Sequence, residues 1–450
     1  MKKHILTLAV ICTLLSSCGI YSKYKPANTV PENLYGENAM PEDSAGLGTM
    51  DWRDLFTDPF LQALIEKGLQ NNTDYLSAGL RVKEAEATLL SAKLAYLPSL
   101  TFSPQGTISS FDGAKATKTY SVPVTASWEI DIFGKLRNTK RQSQSLYAQS
   151  RDYKQAVRTQ VIAGVANTYY TLLMLDAQLE ISEETKLSWK ETVDATRALM
   201  NAGMVDEAAV SQMEAAYYSV CTAVLDLKEQ INQIENSMSL LLAETPHTVE
   251  RGRLDAQNMP TSFSTGIPVQ LLSNRPDVRA AERSLEQAFY ATNQARSAFY
   301  PSITLSGNAG WTNSSGNIII NPGKFLVSAV GSLTQPLFAR GQLTGQLKIA
   351  KAQQEEAQLS FQQILLQAGS EVNDALTQYQ TAHDKSELYE KQIASLQTAY
   401  RSTSLLMQHG NTTYIEVLTA QQNLLSARLT QVANRTTEIQ GIISLYQAPV

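Results

Sequence analysis

Strict alternation of apolar and polar residues predicts β-strands in two parts of this chain. Across 120–132 every even-numbered residue is apolar, and every odd-numbered residue except Pro123 is polar or charged. Runs with the same period lie at 100–109, 302–312 and 325–333. A period of two places successive side chains on opposite faces of a sheet. The sequence therefore predicts four strands, arranged as two hairpins that lie far apart in the chain.

Long stretches without proline predict helices over most of the remaining chain. No proline lies between positions 123 and 246 or between positions 336 and 449. Small or apolar side chains recur there at the steps of three and four that mark one helical face, at Val157, Val161, Gly164, Val165, Thr168, Leu172 and Leu175. The pattern predicts helices at 136–200 and 342–408, each about 100 Å long, and shorter returning helices at 207–242 and 413–446.

Helices of this length cannot surround a single globular core, so they are expected to pack side by side as coiled-coil hairpins. The faces opposite the apolar stripe carry Gln, Asn, Ser and Thr more often than Lys and Glu. Such a surface fits the wall of a water-filled passage, and it fits a solvated helical bundle equally well. The periodicity alone leaves both interpretations open.

The chain also repeats itself at a spacing of 203 to 207 residues. Residues 96–101 (YLPSLT) recur as 299–304 (FYPSIT), and residues 199–203 (LMNAG) recur as 406–410 (LMQHG). Several matches in the same order indicate an internal duplication. We therefore divide the chain into five segments: a signal peptide at 1–17, a tether at 18–58, a first repeat at 59–243, a connector at 244–274 and a second repeat at 275–450.

The first eighteen residues have the pattern of an export signal. Lys2 and Lys3 precede an apolar run of about eleven residues, which is too short to span a bilayer. The run ends in Leu-Ser-Ser-Cys, which resembles a bacterial lipobox, and Cys18 is then the lipidated first residue of the mature chain. Gly19 follows in place of the Asp that retains lipoproteins in the inner membrane of enteric bacteria. The alternative is an ordinary signal peptide that contains a cysteine.

Composition narrows the class of function. Charged residues make up only 18% of the chain, and 37 basic against 42 acidic residues leave no basic excess for nucleic acid. Four scattered histidines and three cysteines predict neither a metal site nor a disulfide framework. No nucleotide-binding or catalytic motif occurs in the strand and helix context that it requires. We expect no cofactor and no enzymatic activity.

The predicted strands are long enough to cross a membrane when tilted. Exposed sheet edges are not tolerated in lipid, however, and four strands cannot close a barrel. Either the strands lie in water, or several copies of the chain complete one barrel. Three copies would supply twelve strands.

The order of these features resembles one family, the TolC-like outer membrane factors, and within it the NodT-type lipoprotein branch. The resemblance rests on the lipobox, the duplication, the two Pro-Ser turns and the stretch Arg-Pro-Asp-Val-Arg-Ala-Ala-Glu at 275–282. It covers about 52–446. It implies a mixed, mainly α-helical fold, with long coiled-coil hairpins and a transmembrane β-barrel shared by three chains.

The resemblance also implies a function and partners. The protein is expected to form a homotrimer in the outer membrane and to meet an inner-membrane pump through a periplasmic adaptor. It would give drugs or other small amphiphiles a passive exit. Two alternatives stay open: a channel for secreted protein or peptide, and a lipid-anchored periplasmic scaffold without a lumen.

By the same resemblance, the turn after the second long helix lies at the periplasmic tip, where the family constricts its channel. Glu416 and Ile415 fall on gate positions, and Thr419 stands where the family often carries Asp. Gly203 and Gly410 fall in the two tip turns, where glycine adopts positive φ at little cost. A Glu in the first helical turn is also favoured by the helix dipole alone.

Overall fold

The computed structural model describes residues 24–25, 51–259, 275–313, 323–409 and 412–447. Its strands and helices follow the chain in the order α1 (Trp52–Leu55), α2 (Pro59–Asn71), α3 (Thr73–Leu94), β1 (Ser99–Phe102), β2 (Gln105–Ser109), β3 (Thr117–Ile130), α4 (Lys135–Asn201), α5 (Glu207–Leu241), α6 (Pro276–Ser297), β4 (Ser302–Thr312), β5 (Lys324–Thr334), α7 (Gln342–Gln408) and α8 (Tyr414–Gln447). Two compact units take segments from both halves of the chain. Of the described residues, the sheet unit contains 24–25, 80–152, 279–313 and 323–363, and the helical unit contains 51–79, 153–259, 275–278, 364–409 and 412–447.

The sheet unit contains one antiparallel sheet in the order β1–β3–β4–β5, with β2 also paired to β3. The two expected hairpins are therefore neighbours in one sheet, joined by ten residue pairs from Ser121↔Thr312 to Ile130↔Ile303. The first predicted strand is split into β1 and β2, which occupy successive stretches of the same β3 edge. The sheet thus has five strand segments in four positions.

The register aligns the apolar residues of neighbouring strands on one face. Val124 pairs with Ala309 and Trp128 pairs with Leu305, while the intervening Thr125 pairs with Asn308. Because side chains alternate along each strand, one face is apolar and the other carries mainly Ser, Thr and Asn, together with Glu129, Leu326 and Val330. Apolar side chains remain open to solvent in the single chain, as at Leu100 (73% exposed) and Leu333 (66% exposed). The apolar face is thus available for contacts outside the chain.

Pro123 is an unusual residue for a central strand, because it cannot donate a ladder hydrogen bond. Its register partner in β4 is Gly310. A Cβ atom at Gly310 would lie 2.3 Å from the carbonyl oxygen of Val122 and 2.6 Å from Cα of Pro123. Glycine at 310 therefore allows β3 and β4 to approach closely beside the proline.

The helical unit has its core around the middle third of α4. Ile162, Ala163, Tyr170 and Leu173 are buried, although they lie outside the predicted apolar stripe. They are covered by segments that include α1, α2 and the end of α8, which contribute the buried residues Trp52, Leu55, Phe56, Leu61, Ile65, Ile439, Ile442 and Ile443. Residues 51–58, which the sequence assigns to the tether, are thus folded against α4.

Arg251 ties the connector to both helices of the first hairpin. Its Nε and Nη2 donate to the two carboxylate oxygens of Asp176 on α4 at 2.5 and 3.0 Å, and its Nη1 donates to Glu235 on α5 at 2.6 Å. Hydrogen bonding to Asp176 is the largest effect that raises the pKa of Arg251, and burial opposes it. The guanidinium therefore stays charged and compensates two carboxylates.

Next to Arg251 and its two carboxylate partners, a set of buried hydrogen bonds holds the start of α2. The Tyr169 hydroxyl donates to Asp58 at 2.6 Å and accepts from the Gly252 backbone N–H at 2.9 Å. The side-chain amide of Gln257 donates to the same Asp58 oxygen at 2.7 Å. Burial, followed by the bond to Asp58, raises the pKa of Tyr169 above its ordinary range. These bonds fix the connector against the helical core.

Candidate functional site: membrane sheet and hairpin tips

The sheet has the dimensions of a membrane-crossing element. Strands β4 and β5 contain 11 residues each, so each extends about 36 Å along its axis at about 3.3 Å per residue. Tilted by about 45°, such a strand rises roughly 26 Å, which matches the apolar band of outer-membrane barrels. Its continuous apolar face meets the remaining requirement of a lipid-facing surface.

Aromatic side chains lie at both ends of the apolar face, as expected of a sheet that meets two lipid–water interfaces. At one end, Trp311 and Phe325 pack with their ring centroids 5.2 Å apart. At the other end, the indole N–H of Trp128 donates to the carbonyl of Tyr96 at 2.8 Å. Phe133 and Tyr300 stack there at 5.1 Å, beside the starts of α4 and β4.

Each outer edge of the sheet lacks a partner strand within the described part of the chain. β5 pairs only with β4, and β1 and β2 pair only with β3. A backbone N–H or C=O left unpaired in lipid costs several kcal/mol. The sheet of a single chain is therefore incomplete as a membrane-spanning structure.

At the first hairpin tip, α4 ends in a glycine turn and α5 begins with an aspartate cap. Gly203 has φ 75°, and the Gly203 and Met204 N–H groups donate to the carbonyls of Met200 and Leu199 at 2.9 Å each. This is the Schellman arrangement, which favours glycine at this position. Asp206 accepts from the Ala209 N–H at 2.9 Å and caps α5. Gly203 therefore has a local structural role.

At the second tip, Glu416 and Ile415 lie in the first turn of α8. Both side chains are exposed, and the Glu416 carboxylate accepts a hydrogen bond from the Thr412 hydroxyl. The Thr419 hydroxyl donates to the backbone carbonyl of Ile415 at 2.8 Å. Glu416 thus has a local hydrogen-bond partner at the start of the helix. Gly410, like Cys18, lies outside the described residues.

A cleft of about 610 Å³ joins the two tips within the helical unit. Gly203 and Ile415 both line it, whereas Glu416 and Thr419 do not. The remaining walls were not among the predicted site residues; they are Leu199, Met204, Val205, Asp206, Met407, Thr412, Thr413 and Tyr414. Their signal in the sequence is the duplication itself, because the repeat aligns the two turns and so predicts equivalent positions for them.

The described residues contain neither a helix that could span a membrane nor a cluster of metal ligands. Among the helices in the described ranges, none is long and apolar enough to cross a lipid bilayer. In the same part of the chain, no group of three or more His, Cys, Asp or Glu side chains could hold a metal ion.

The duplicated sequence also matches a known protein family twice. The profile of the outer membrane efflux protein family covers residues 64–244 and 267–448. The chain belongs to the outer membrane efflux protein family. Family membership confirms the predicted resemblance to TolC-like outer membrane factors, and it identifies the chain as an efflux channel of the outer membrane.

Individual relatives match along nearly their whole length. The cation efflux system protein CusC of Escherichia coli O6:H1 is 28% identical over 447 residues, covering 97% of this chain and 96% of the relative. The toluene efflux pump outer membrane protein TtgC of Pseudomonas putida is 27% identical, covering 100% and 95%. The probable outer membrane lipoprotein SilC of Salmonella typhimurium is 26% identical, covering 95% and 94%.

A solved structure supports the same assignment. The crystal structure of CusC aligns with a TM-score of 0.86 at 26% identity and covers 96% of this chain and 99% of the CusC chain. The predicted fold class, long helical hairpins combined with a membrane sheet in a duplicated chain, is therefore confirmed.

Proposed function

We propose that three copies of this efflux protein close one twelve-stranded barrel and form a passive channel. The observation that supports this proposal is the sheet itself, whose strands occupy four positions and which has an apolar face, a polar face and two unpaired edges. When β5 of one copy pairs with β1 and β2 of the next, every edge is used and the barrel closes. The apolar face then meets lipid, and the Ser, Thr and Asn face lines a water-filled passage.

The mass of the purified protein in detergent and its single-channel conductance, measured on the same sample, test this proposal. A trimer with discrete openings is the expected result. A monomer without conductance would refute the shared barrel and would favour the alternative function, a periplasmic scaffold without a lumen. A trimer without conductance would refute the open passage while leaving the assembly intact.

The cargo that we propose is a small amphiphile, delivered by an inner-membrane pump through a periplasmic adaptor. The relative TtgC is named for toluene efflux, and a passage lined by hydroxyl and amide groups does not require a charged solute. The channel itself supplies no energy. Co-expression with a pump and adaptor in an efflux-deficient host should lower the accumulation of toluene or a lipophilic dye. Unchanged accumulation of both, with the protein present in the outer membrane, would remove amphiphiles as cargo.

A second candidate cargo is a soft metal cation. Two thioether side chains, those of Met204 and Met407, line the tip cleft, and thioethers prefer soft ions such as Cu(I). The relative CusC is named for cation efflux. Copper tolerance in the same host, measured for the native chain and for a Met204→Leu/Met407→Leu variant, tests it. Equal tolerance of the native chain and the empty host would exclude copper.

Anchoring through Cys18 is the third part of the proposal. It is supported by the Leu-Ser-Ser-Cys sequence and by SilC, whose name identifies it as a probable lipoprotein. Acyl chains on Cys18 would hold the N-terminus at the membrane. Metabolic labelling with palmitate should mark the native chain and should leave Cys18→Ala unlabelled. Label that persists in Cys18→Ala would refute lipidation at this residue.

The gate is proposed at the second hairpin tip, with Glu416 as its acidic residue, Ile415 as an apolar neighbour and Thr419 one turn on. Three Glu416 carboxylates near one axis would repel each other and attract cations. Glu416→Gln removes the charge but keeps an oxygen that can accept from Thr412. This variant separates the charge of Glu416 from its hydrogen bond with Thr412.

Planar-bilayer recordings should show weaker cation preference for Glu416→Gln than for the native channel. Glu207→Gln is the matched control, because Glu207 occupies the first turn of α5 on the other hairpin. Unchanged selectivity in Glu416→Gln, or an equal change in Glu207→Gln, would remove Glu416 from the gate.

A further inference from the structure

The hairpin of β2 and β3 extends beyond the rest of the sheet. Strand β3 pairs with β4 as far as Ser121, whereas its pairing with β2 continues to Thr117. Asn313, just after β4, supports the extension on the other side. Its side-chain oxygen accepts from the Tyr120 N–H at 2.6 Å, and its side-chain amide donates to the Lys118 carbonyl at 3.0 Å. The extension is therefore hydrogen-bonded along both of its edges.

This extended end of the sheet lies away from the helices of the sheet unit. The strands join α3, α4, α6 and α7 at the opposite end, where Ile130 pairs with Ile303. In the proposed channel those helices lead into the periplasm, so the extended end faces the outer leaflet of the membrane. We call residues 109–119 and 312–324 at this end the distal rim.

The distal rim carries more positive than negative charge. Its charged residues are Asp112, Lys115, Lys118 and Lys324, so three lysines against one aspartate give a net charge of +2 per chain. All four residues are exposed. Within the described ranges, neither Lys115 nor Lys118 forms an ion pair through its side chain. Their charges are therefore available to a partner outside the chain.

Alternation places two of these lysines on opposite faces of the sheet. Lys118 is six residues from Val124 of the apolar face, and an even separation keeps two side chains of a strand on the same face. Its register partner in β2 is Ile108, which is 70% exposed. Lys324 directly precedes Phe325 of the apolar face and therefore belongs to the polar face. Lys118 thus stands on the face that meets lipid.

The level of Lys118 matches the headgroup layer of a membrane. Trp311 marks the aromatic level at this end and pairs with Val122. Lys118 is four residues further along β3, about 13 Å along the strand and roughly 9 Å along the membrane normal at a tilt of about 45°. A headgroup layer is roughly 5–8 Å thick. The backbone of Lys118 therefore lies near its outer boundary, from which the flexible stem can bring the ammonium to the phosphates.

We propose that Lys115 and Lys118 bind phosphate groups of lipopolysaccharide, the glycolipid of the outer leaflet. The inference rests on the proposed barrel and adds a lipid partner to it. The lipid A part of lipopolysaccharide carries phosphate groups next to its acyl chains. It therefore offers negative charge at the level of Lys118 and apolar chains at the aromatic level below. Three copies of the chain would supply three such sites around one barrel.

Binding of purified lipid A to the full-length protein in detergent tests this proposal. A lysine at an anionic lipid surface contributes about fivefold in affinity. Lys115→Gln/Lys118→Gln should therefore bind phosphorylated lipid A roughly 30-fold more weakly than the native protein. Lipid A from which the phosphates have been removed should bind the native protein weakly, and the double substitution should not weaken it further.

Asp112→Asn provides a change of opposite sign. Asp112 has φ 49°, a conformation that asparagine also adopts, so the substitution keeps the backbone of the turn. Because it removes the one negative charge of the distal rim, this variant should bind phosphorylated lipid A more tightly than the native protein. Weaker binding would contradict an electrostatic contact at this rim.

Lys324→Gln is the matched control, because it removes the same charge from the same rim but on the polar face. It should bind phosphorylated lipid A as the native protein does. Equal weakening in Lys324→Gln and Lys118→Gln would overturn the proposal, since it would show attraction by net charge without a site. Equal affinity of the native protein for the two forms of lipid A would overturn it as well.

The mass in detergent of each variant separates this inference from the proposed function. A trimer whose lipid A binding does not depend on Lys115 and Lys118 leaves the barrel standing and removes the lipid site. A monomer refutes the proposed barrel, and the lipid-facing position of Lys118 fails with it. A trimer that loses phosphate-dependent binding in the double variant and keeps it in Lys324→Gln supports the lipopolysaccharide site.

Discussion

Replacing Arg251 by Met should release the connector from the first helical hairpin. The guanidinium makes three hydrogen bonds to the carboxylates of Asp176 and Glu235 and a fourth to the Val249 carbonyl at 2.8 Å. Methionine is similar in length and apolar, so it fills the space but compensates neither carboxylate. The change therefore tests the charge cluster with little loss of packing.

The expected effect follows from the exposure of the two carboxylates. The Glu235 side chain is only 10% exposed, and without Arg251 it keeps a hydrogen bond from the Val249 N–H at 3.3 Å. Breaking a buried ion pair by removing one partner costs about 3–5 kcal/mol. Asp176 is 36% exposed, so water compensates part of its charge. We therefore expect Arg251→Met to destabilise the connector by about 3 kcal/mol, the lower end of this range.

Hydrogen exchange of the connector is the suitable assay, because it reports local opening without requiring reversible unfolding of a membrane assembly. A loss of about 3 kcal/mol corresponds to exchange roughly 100-fold faster in peptides spanning 245–259. Arg253→Met is the matched control, since Arg253 pairs with Glu180 and Asp255 at 66% exposure. Water screens an exposed pair of this kind, so its loss should change the exchange rate little.

Equal exchange in Arg251→Met and Arg253→Met would refute the reasoning, because it would mean that burial of the Glu235 carboxylate has no energetic consequence. Adding Glu235→Gln to Arg251→Met provides a further check. The double variant no longer buries an uncompensated charge at that position, so exchange should slow again toward the native rate.

Two other substitutions have defined outcomes. Gly310→Ala should prevent close pairing of β3 and β4, at a cost of about 3 kcal/mol or more, and should sharply reduce the amount of trimer recovered from outer membranes. Gly331→Ala is the control, because its Cβ would meet only a leucine methyl at 3.4 Å, and it should give native amounts of trimer. Equal recovery of both variants would contradict this prediction. Burial raises the pKa of Asp277, but its hydrogen bonds with Arg275 and the positive charge outweigh burial and hold this pKa below the ordinary 3.8. The pair therefore stabilises the fold above that pH and loses its contribution as the pH falls through the lowered value. Circular dichroism below pH 4 should show less acid-induced loss of helix for Asp277→Asn than for the native chain, and identical acid profiles would count against this pair.

The helices could be predicted from the sequence because local signals mark their ends. The structure places α7 at Gln342–Gln408, the range expected from the absence of proline. Helix α4 extends one residue beyond the expected range at each end. At its C-terminus, Gly203 supplies the positive φ that ends the helix. The information for these boundaries lies within a few residues of each boundary.

The sheet could be predicted only in part, because its central pairing is not local. Alternation identified the strands, but β3 and β4 are separated in the chain by α4, α5, the connector and α6. The sequence predicted two separate hairpins and gave no sign that they pair with each other. In the structure the ten residues of β3 from Ser121 to Ile130 pair with β4 and join the hairpins into one sheet. The break between β1 and β2 lies opposite Pro123, a residue that alternation alone marks as an exception.

The duplication explains why the helical core exceeded the prediction. Helices α4 and α7 have the same hydrophobic period and the same length, so the sequence predicts the same helix in both repeats. Their neighbours differ, however, because α1, α2 and the connector cover α4. Buried residues of α4 accordingly correspond to exposed polar residues of α7, as in the pairs Ala163/Ser370, Tyr170/Thr377 and Leu173/Gln380. At these positions of α7 the side chain is polar because α1, α2 and the connector do not cover it, and water contacts it instead.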